Sequence, residues 1–124
     1  MKQSVRGSRQ HPTTTIALDD ANPPLNFRQS DKTYAGISVD YLHLIAAKAG
    51  LKIEFSGSTW DAALTKAMQH QVDGIMSASY KEERRVALDF TDPYCEMPEA
   101  IVTRKDFPNV THLRDFAHQR IPVA

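Results

Sequence analysis

The apolar positions of the chain alternate between two periods. "TTTIALD", residues 13–19, is β-branched and then apolar, and predicts a first strand that ends at Asp19 and Asp20. "ANPPLNFRQSDKTYAG" carries paired prolines and a glycine and reads as loop. "ISVDYLHLIAAKAG" shifts to helical spacing, with Tyr41, Leu42, Ile45, Ala46 and Ala49 as its stripe and Gly50 where a left-handed cap belongs. "LKIEF" alternates Leu51, Ile53 and Phe55 as a second strand. A second helix follows, with Ser58 and Asp61 as its capping pair and Trp60, Ala63, Leu64, Ala67 and Met68 at core spacing. "VDGIMSAS" predicts a short third strand and "YKEERR" a turn with a short helix. "EAIVTRK" predicts a fourth strand, "NVTHLRDFAHQ" a short helix, and "RIPVA" the start of another strand.

Strands and helices that alternate in this way predict an α/β fold with a mostly parallel sheet flanked by helices. Such sheets bind ligands along the edge formed by the carboxyl ends of their strands. Here those ends carry Asp19 and Asp20, then Ser77 and Ser79, with Arg84 just beyond. The first dozen residues read as a flexible lead-in.

Composition narrows the function. The chain has 124 residues, enough for one core. Fifteen basic and fifteen acidic side chains cancel, which argues against a nucleic-acid partner. There is no apolar run of membrane-spanning length, and the basic, polar N-terminus has no signal-peptide core. A lone Cys95 makes no internal disulfide. The five histidines have no metal-ligand spacing, and no G-x-S-x-G elbow appears, so neither a metal nor a catalytic nucleophile is expected.

"YKEERRVALDFTDPY", residues 80–94, holds the chemistry that is hardest to dismiss. In one reading Arg84 pairs with Glu82, Glu83 or Asp89 on a solvated surface. In the other Arg84, just beyond the strand ends, has a role beyond that surface. Trp60 opens the second helix, whose stripe reads as core.

Four stretches in register carry a resemblance: "RQHPTTTIALDDANPPLNF", "YAGISVDYLHLIAAKAGLKIEF", "STWDAALTKAMQHQVDGIMSAS" and "YKEERRVALDFTDPYCEMPEAIVTRK". Together they resemble the first lobe of type 2 periplasmic solute-binding proteins, the bacterial extracellular family 3. The nearest variety is the "Venus flytrap" sensor domains of hybrid histidine kinases of the BvgS kind. Lys81 stands where the family usually has threonine, and "QHQVD" lacks the family's glycine. The resemblance implies a solute-binding lobe over 13–105, with 106–124 as connection and first strand of a second lobe that is missing here. It implies that Arg84 grips the α-carboxylate of an amino acid or another small carboxylate. Ser77 and Ser79 would add contacts, Asp19, Asp20 and Asn22 would form the other wall, and Trp60 would border the cleft. No cofactor is implied. The implied partners are the ligand, the missing lobe, and a sensor kinase or an ABC permease, with the site in the periplasm. One lobe alone is expected to bind weakly or not at all, because the ligand bridges two. The same fold also serves cyclohexadienyl dehydratases and accompanies lytic transglycosylases. For proton transfer in an enzyme of that kind, Asp20 and Glu96 are the candidates.

Overall fold

The computed structural model describes residues 13–108 and 110–117; the expected lead-in over 1–12 and the strand expected in "RIPVA" lie outside them. The chain divides into two compact units between Thr91 and Asp92.

The first unit is built on β1 (Thr13–Asp19), where β-branched residues lead into the wholly buried Ala17 and Leu18. β1 runs parallel to β5 (Lys52–Ser58) along its whole length, from Thr13↔Lys52 to Asp19↔Ser58. On its other side it pairs, again parallel, with β6 (Gly74–Ile75) through Ile16↔Gly74 and Ala17↔Ile75. The order β5-β1-β6 makes an α/β lobe whose three strands send their carboxyl ends to one edge.

Residues 21–36 are not plain loop. They form an antiparallel meander of β2 (Ala21–Asn22), β3 (Asn26–Ser30) and β4 (Thr33–Ala35). The prolines and small polar residues that argue for loop sit at its turns. The meander returns to the main sheet through Asn26, wholly buried, whose amide nitrogen donates to the Asp19 carbonyl at 2.7 Å.

Helix α1 (Ile37–Ala49) ends as its sequence predicts: Gly50 takes φ 67 and donates its amide to the Ala46 carbonyl. Its buried face differs from the predicted stripe. Ser38, Val39 and Ala46 are buried and Leu42 is half-buried, while Tyr41, Ile45 and Ala49 are exposed. Apolar residues occur on nearly every side of this helix, so period alone does not choose the face; packing of Leu42 and Val39 with Leu18, Met76 and Phe55 does. Fully burying Leu18 and Val39 contributes about 1.5–3 kcal/mol each.

Helix α2 (Trp60–Met68) packs on β1, β5 and β6 through Ala63 and Ala67, both buried, whose small side chains allow a close approach to the sheet. Its cap is Thr59, not Ser58: the Thr59 hydroxyl accepts from the Ala62 amide at 3.4 Å, because β5 keeps Ser58 in the ladder opposite Asp19.

The third strand is shorter than "VDGIMSAS" predicts. Met76 adds one more bond to the Ala17 carbonyl at 3.1 Å, and then Ser77 turns to φ 57, which no strand accommodates. "YKEERR" gives a single 3-10 turn, Glu82–Arg84.

In the second unit, residues 99–105 form no strand, with Ile101 and Val102 exposed. β-propensity supplies no ladder partner, and none lies beside this stretch among the described residues. The helix expected in 109–119 is one 3-10 turn, Leu113–Phe116, next to a stacked pair of Phe107 and Phe116. Tyr94 lies exposed in this unit, while Phe90, in the first, packs edge-on to Tyr80.

Candidate functional site

The carboxyl edge of the sheet gathers most of the candidate residues. Arg84 is the most distinctive. The 3-10 turn is closed by the Arg84 amide bonding to the Lys81 carbonyl at 3.0 Å, and the Arg84 carbonyl accepts from Leu88. This geometry turns the side chain inward, leaving Arg84 only 9% exposed while Glu82, Glu83 and Arg85 face solvent. Its Nη1 donates to the Ser79 carbonyl at 2.9 Å, and the guanidinium lies 5.4 Å from the centre of the Trp60 ring. Among the described residues Arg84 has no acidic partner: Glu82 takes the Tyr80 hydroxyl, and the ion pairs are Arg28–Asp20 and Arg104–Asp106. A cation with no acidic partner and with guanidinium donors to spare is suited to receive an anion through charge-assisted hydrogen bonds.

Trp60 stands at the first turn of α2, half-buried beneath that guanidinium. Ser77 and Ser79 lie on the loop that leaves β6. The Ser77 hydroxyl donates to that of Ser38 at 2.9 Å, and Ser79 contributes its carbonyl to Arg84.

The acidic wall is more heavily engaged than its sequence shows. The Asp19 carboxylate accepts from the Ala21 amide at 3.0 Å, closing the turn after β1. Asp20 is held by Arg28, whose Nη2 and Nε reach its Oδ2 at 2.7 and 3.1 Å. That bond, and then the charge of Asp20, raises the Arg28 pKa above its ordinary value. The Arg28 guanidinium also lies 5.5 Å from the centre of the Tyr34 ring. Arg28 takes Oδ2 of Asp20 alone, while Oδ1 is buried with no hydrogen-bond partner among the described residues. Asn22 is half-buried, and its carbonyl accepts from the Leu25 amide at 3.0 Å. Glu96 is exposed and belongs to the second unit.

Three residues that shape this edge escape a reading of the sequence. Arg28 and Tyr34 fall in a stretch that composition marks as loop, and Ser38 is a small polar residue in an apolar helix. Only the glycine of "YAGIS" hints that this crossing is tight. A Cβ on Gly36, at φ 127, would lie 2.2 Å from the Leu25 carbonyl oxygen. Among the described residues no cluster of histidine, cysteine and acidic side chains is placed to hold a metal. No helix there is long and apolar enough to cross a membrane.

Residues 14–119 match the bacterial extracellular solute-binding proteins, family 3. The chain belongs to this family. It is 28% identical over 91 residues to a probable histidine-binding protein of Neisseria gonorrhoeae, covering 73% of the chain and 34% of that protein. It is also 28% identical over 97 residues to the virulence sensor protein BvgS of Bordetella pertussis, covering 77% of the chain and 8% of the sensor. Its fold matches the ancestral amino-acid-binding protein AncCDT-1, described as a precursor of cyclohexadienyl dehydratase. The TM-score is 0.65 at 26% identity, over 74% of this chain and 41% of that one. The chain thus spans well under half the length of these relatives. The relatives are mostly named as amino-acid-binding proteins, with BvgS one among several, so the narrower resemblance to BvgS-type sensors widens to the family as a whole.

Proposed function

We propose that this chain is the first lobe of an amino-acid-binding domain, in which Arg84 receives the ligand's α-carboxylate. The observation that carries this reading is Arg84 itself: a residue 9% exposed, its guanidinium held by a carbonyl and a ring and lacking an acid partner among the described residues. Its planar donors match two carboxylate oxygens, and each charge-assisted bond contributes about 1.5–3 kcal/mol. Ser77 and Ser79 adjoin the carboxylate position, and Trp60 forms its apolar floor. Asp19, Asp20 and Asn22 face the ligand's ammonium end, with Asp20 shared with Arg28. The names of the relatives support an amino acid as ligand, and they support two settings: the receptor of an ABC importer, or the input of a sensor kinase. Either places the lobe outside the cytoplasmic membrane, in the periplasm of a Gram-negative cell. In the whole protein a second lobe closes over the ligand from the other side, so the lobe alone binds weakly.

The dehydratase reading draws on the kinship to AncCDT-1, but the side chains favour it less. Asp20 is ion-paired with Arg28, and Glu96 is exposed.

A thermal-shift screen with the common amino acids and small dicarboxylates, each at millimolar concentration, tests the proposal. Stabilisation by one amino-acid class in the parent, lost in Arg84→Ala, is the expected result. Equal melting of parent and variant with every compound would refute it.

A further inference from the structure

Ser38 is the second residue of α1 and is 2% exposed. Its amide donates to the Leu25 carbonyl at 2.9 Å, which fixes its backbone against the turn between β2 and β3. Its hydroxyl accepts from that of Ser77 at 2.9 Å, across 39 residues of sequence. Ser77 has φ 57, a left-handed conformation that crowds the Cβ of any residue but glycine and persists only where the surroundings enforce it. Two residues later the Ser79 carbonyl accepts from Arg84 Nη1, and the guanidinium lies over Trp60. A continuous set of contacts therefore runs from the buried start of α1 to the site's cation. The direction in which Ser79 points its carbonyl depends on the backbone turn at Ser77.

We propose that Ser38 is a positioning residue: by holding Ser77 in its left-handed turn, it orients the Ser79 carbonyl and so sets the Arg84 guanidinium over Trp60. The carboxylate reading enters only in the last consequence, that this orientation is the one that grips a ligand. The placement of Arg84 can be read without any ligand, because Trp60 is the chain's single tryptophan.

The test compares Trp60 emission and its quenching by acrylamide in the parent, Arg84→Ala, Ser38→Ala, Ser38→Thr, and Ser38→Ala combined with Ser77→Gly. Arg84→Ala defines the signal of an uncovered ring. Ser38→Ala should move the signal the same way with unchanged far-UV circular dichroism, while Ser38→Thr, which keeps the hydroxyl, stays near the parent. Adding Ser77→Gly to Ser38→Ala should restore the parent signal, since glycine adopts the left-handed turn without crowding. Where Ser38→Ala does not fold, Ser77→Ala removes the same bond from its less buried side and should give the same shift. A parent-like Trp60 in a folded Ser38→Ala, or in Ser77→Ala, overturns the proposal. Titration with L-histidine then separates the two readings. Ser38→Ala should bind about fivefold more weakly than the parent, the effect of one lost hydrogen bond. A parent that binds L-histidine no better than L-histidinamide, which lacks the carboxylate, with Trp60 still shifted in Ser38→Ala, would refute the carboxylate reading and leave the positioning role standing. A parent that binds, with neither affinity nor emission altered in Ser38→Ala, would do the reverse.

Discussion

Replacing Gly36 with alanine tests whether the crossing of the meander over α1 holds this lobe together. Gly36 precedes α1 with φ 127 and ψ 169, a conformation that belongs almost wholly to glycine. An added Cβ would lie 2.2 Å from the Leu25 carbonyl oxygen, 2.6 Å from its carbon and 2.9 Å from the Asn26 nitrogen. All three are backbone atoms, so no side chain can swing aside. The bonds from Ile37 to Pro24 (3.0 Å) and from Ser38 to Leu25 (2.9 Å) pin both strands of the crossing in place. Backbone strain of about 1–3 kcal/mol adds to an overpacking cost of about 1–3 kcal/mol, so Gly36→Ala should destabilise by ~4 kcal/mol. Gly50→Ala is the control. Its φ of 67 is also left-handed, but an added Cβ meets nothing within 4 Å, so only the conformational cost of about 1–2 kcal/mol applies. Thermal melting followed by circular dichroism reads both. At roughly 4–8 °C per kcal/mol for a domain of this size, Gly50→Ala should melt about 5–15 °C below the parent and Gly36→Ala at least 15 °C below, or without a cooperative transition. Equal losses in the two variants would show that the clash at Leu25 relaxes freely, and the reasoning would fail.

Leu18→Ala empties a wholly buried position among Val39 and Met76 and should cost about 2–5 kcal/mol in urea denaturation, whereas Val86→Ala, at 85% exposed, should stay within about 0.5 kcal/mol. A small effect at Leu18 would mean the core lies elsewhere. In the second unit, the Asp115 carboxylate accepts from the amides of Thr111 and His112, both at 3.0 Å, which lowers its pKa. A depressed folded-state pKa means the turn is stabilised above the ordinary carboxylate value and loses that contribution as pH falls through the lowered one. The amide shifts of Thr111 and His112 should therefore titrate with a midpoint below that of an unstructured aspartate, and a midpoint at or above it would contradict these bonds.

Much of the lobe can be read from its residues, for identifiable reasons. β1 and β5 alternate or concentrate apolar side chains as a parallel ladder demands, and Gly50 marks the end of α1 because only glycine caps it without strain. The meander escaped because its strands are two to five residues long and its composition is that of turns. The buried face of α1 could not be chosen by period when Ile37, Tyr41, Leu44 and Ile45 give the helix a second apolar side. "EAIVTRK" has the composition of a strand, but a strand also requires a neighbour, which a local pattern does not reveal. At the site, Arg84 stood out through its setting in a recognisable series of motifs. The Arg28 that occupies Asp20, and the Ser38 beneath Ser77, become visible only when the fold brings distant segments together.

The most direct test of the carboxylate-binding claim is an NMR titration of the parent and Arg84→Ala with L-histidine and, in parallel, with its carboxamide, L-histidinamide. The amide keeps the side chain and ammonium group but lacks the carboxylate charge. The parent should bind the acid at least about tenfold more tightly than the amide, a difference of one charge-assisted contact, with shifts centred on Arg84, Ser79 and the Trp60 indole. Arg84→Ala should lose that preference. A parent that binds acid and amide equally, or a variant that still discriminates between them, would show that Arg84 does not receive the carboxylate.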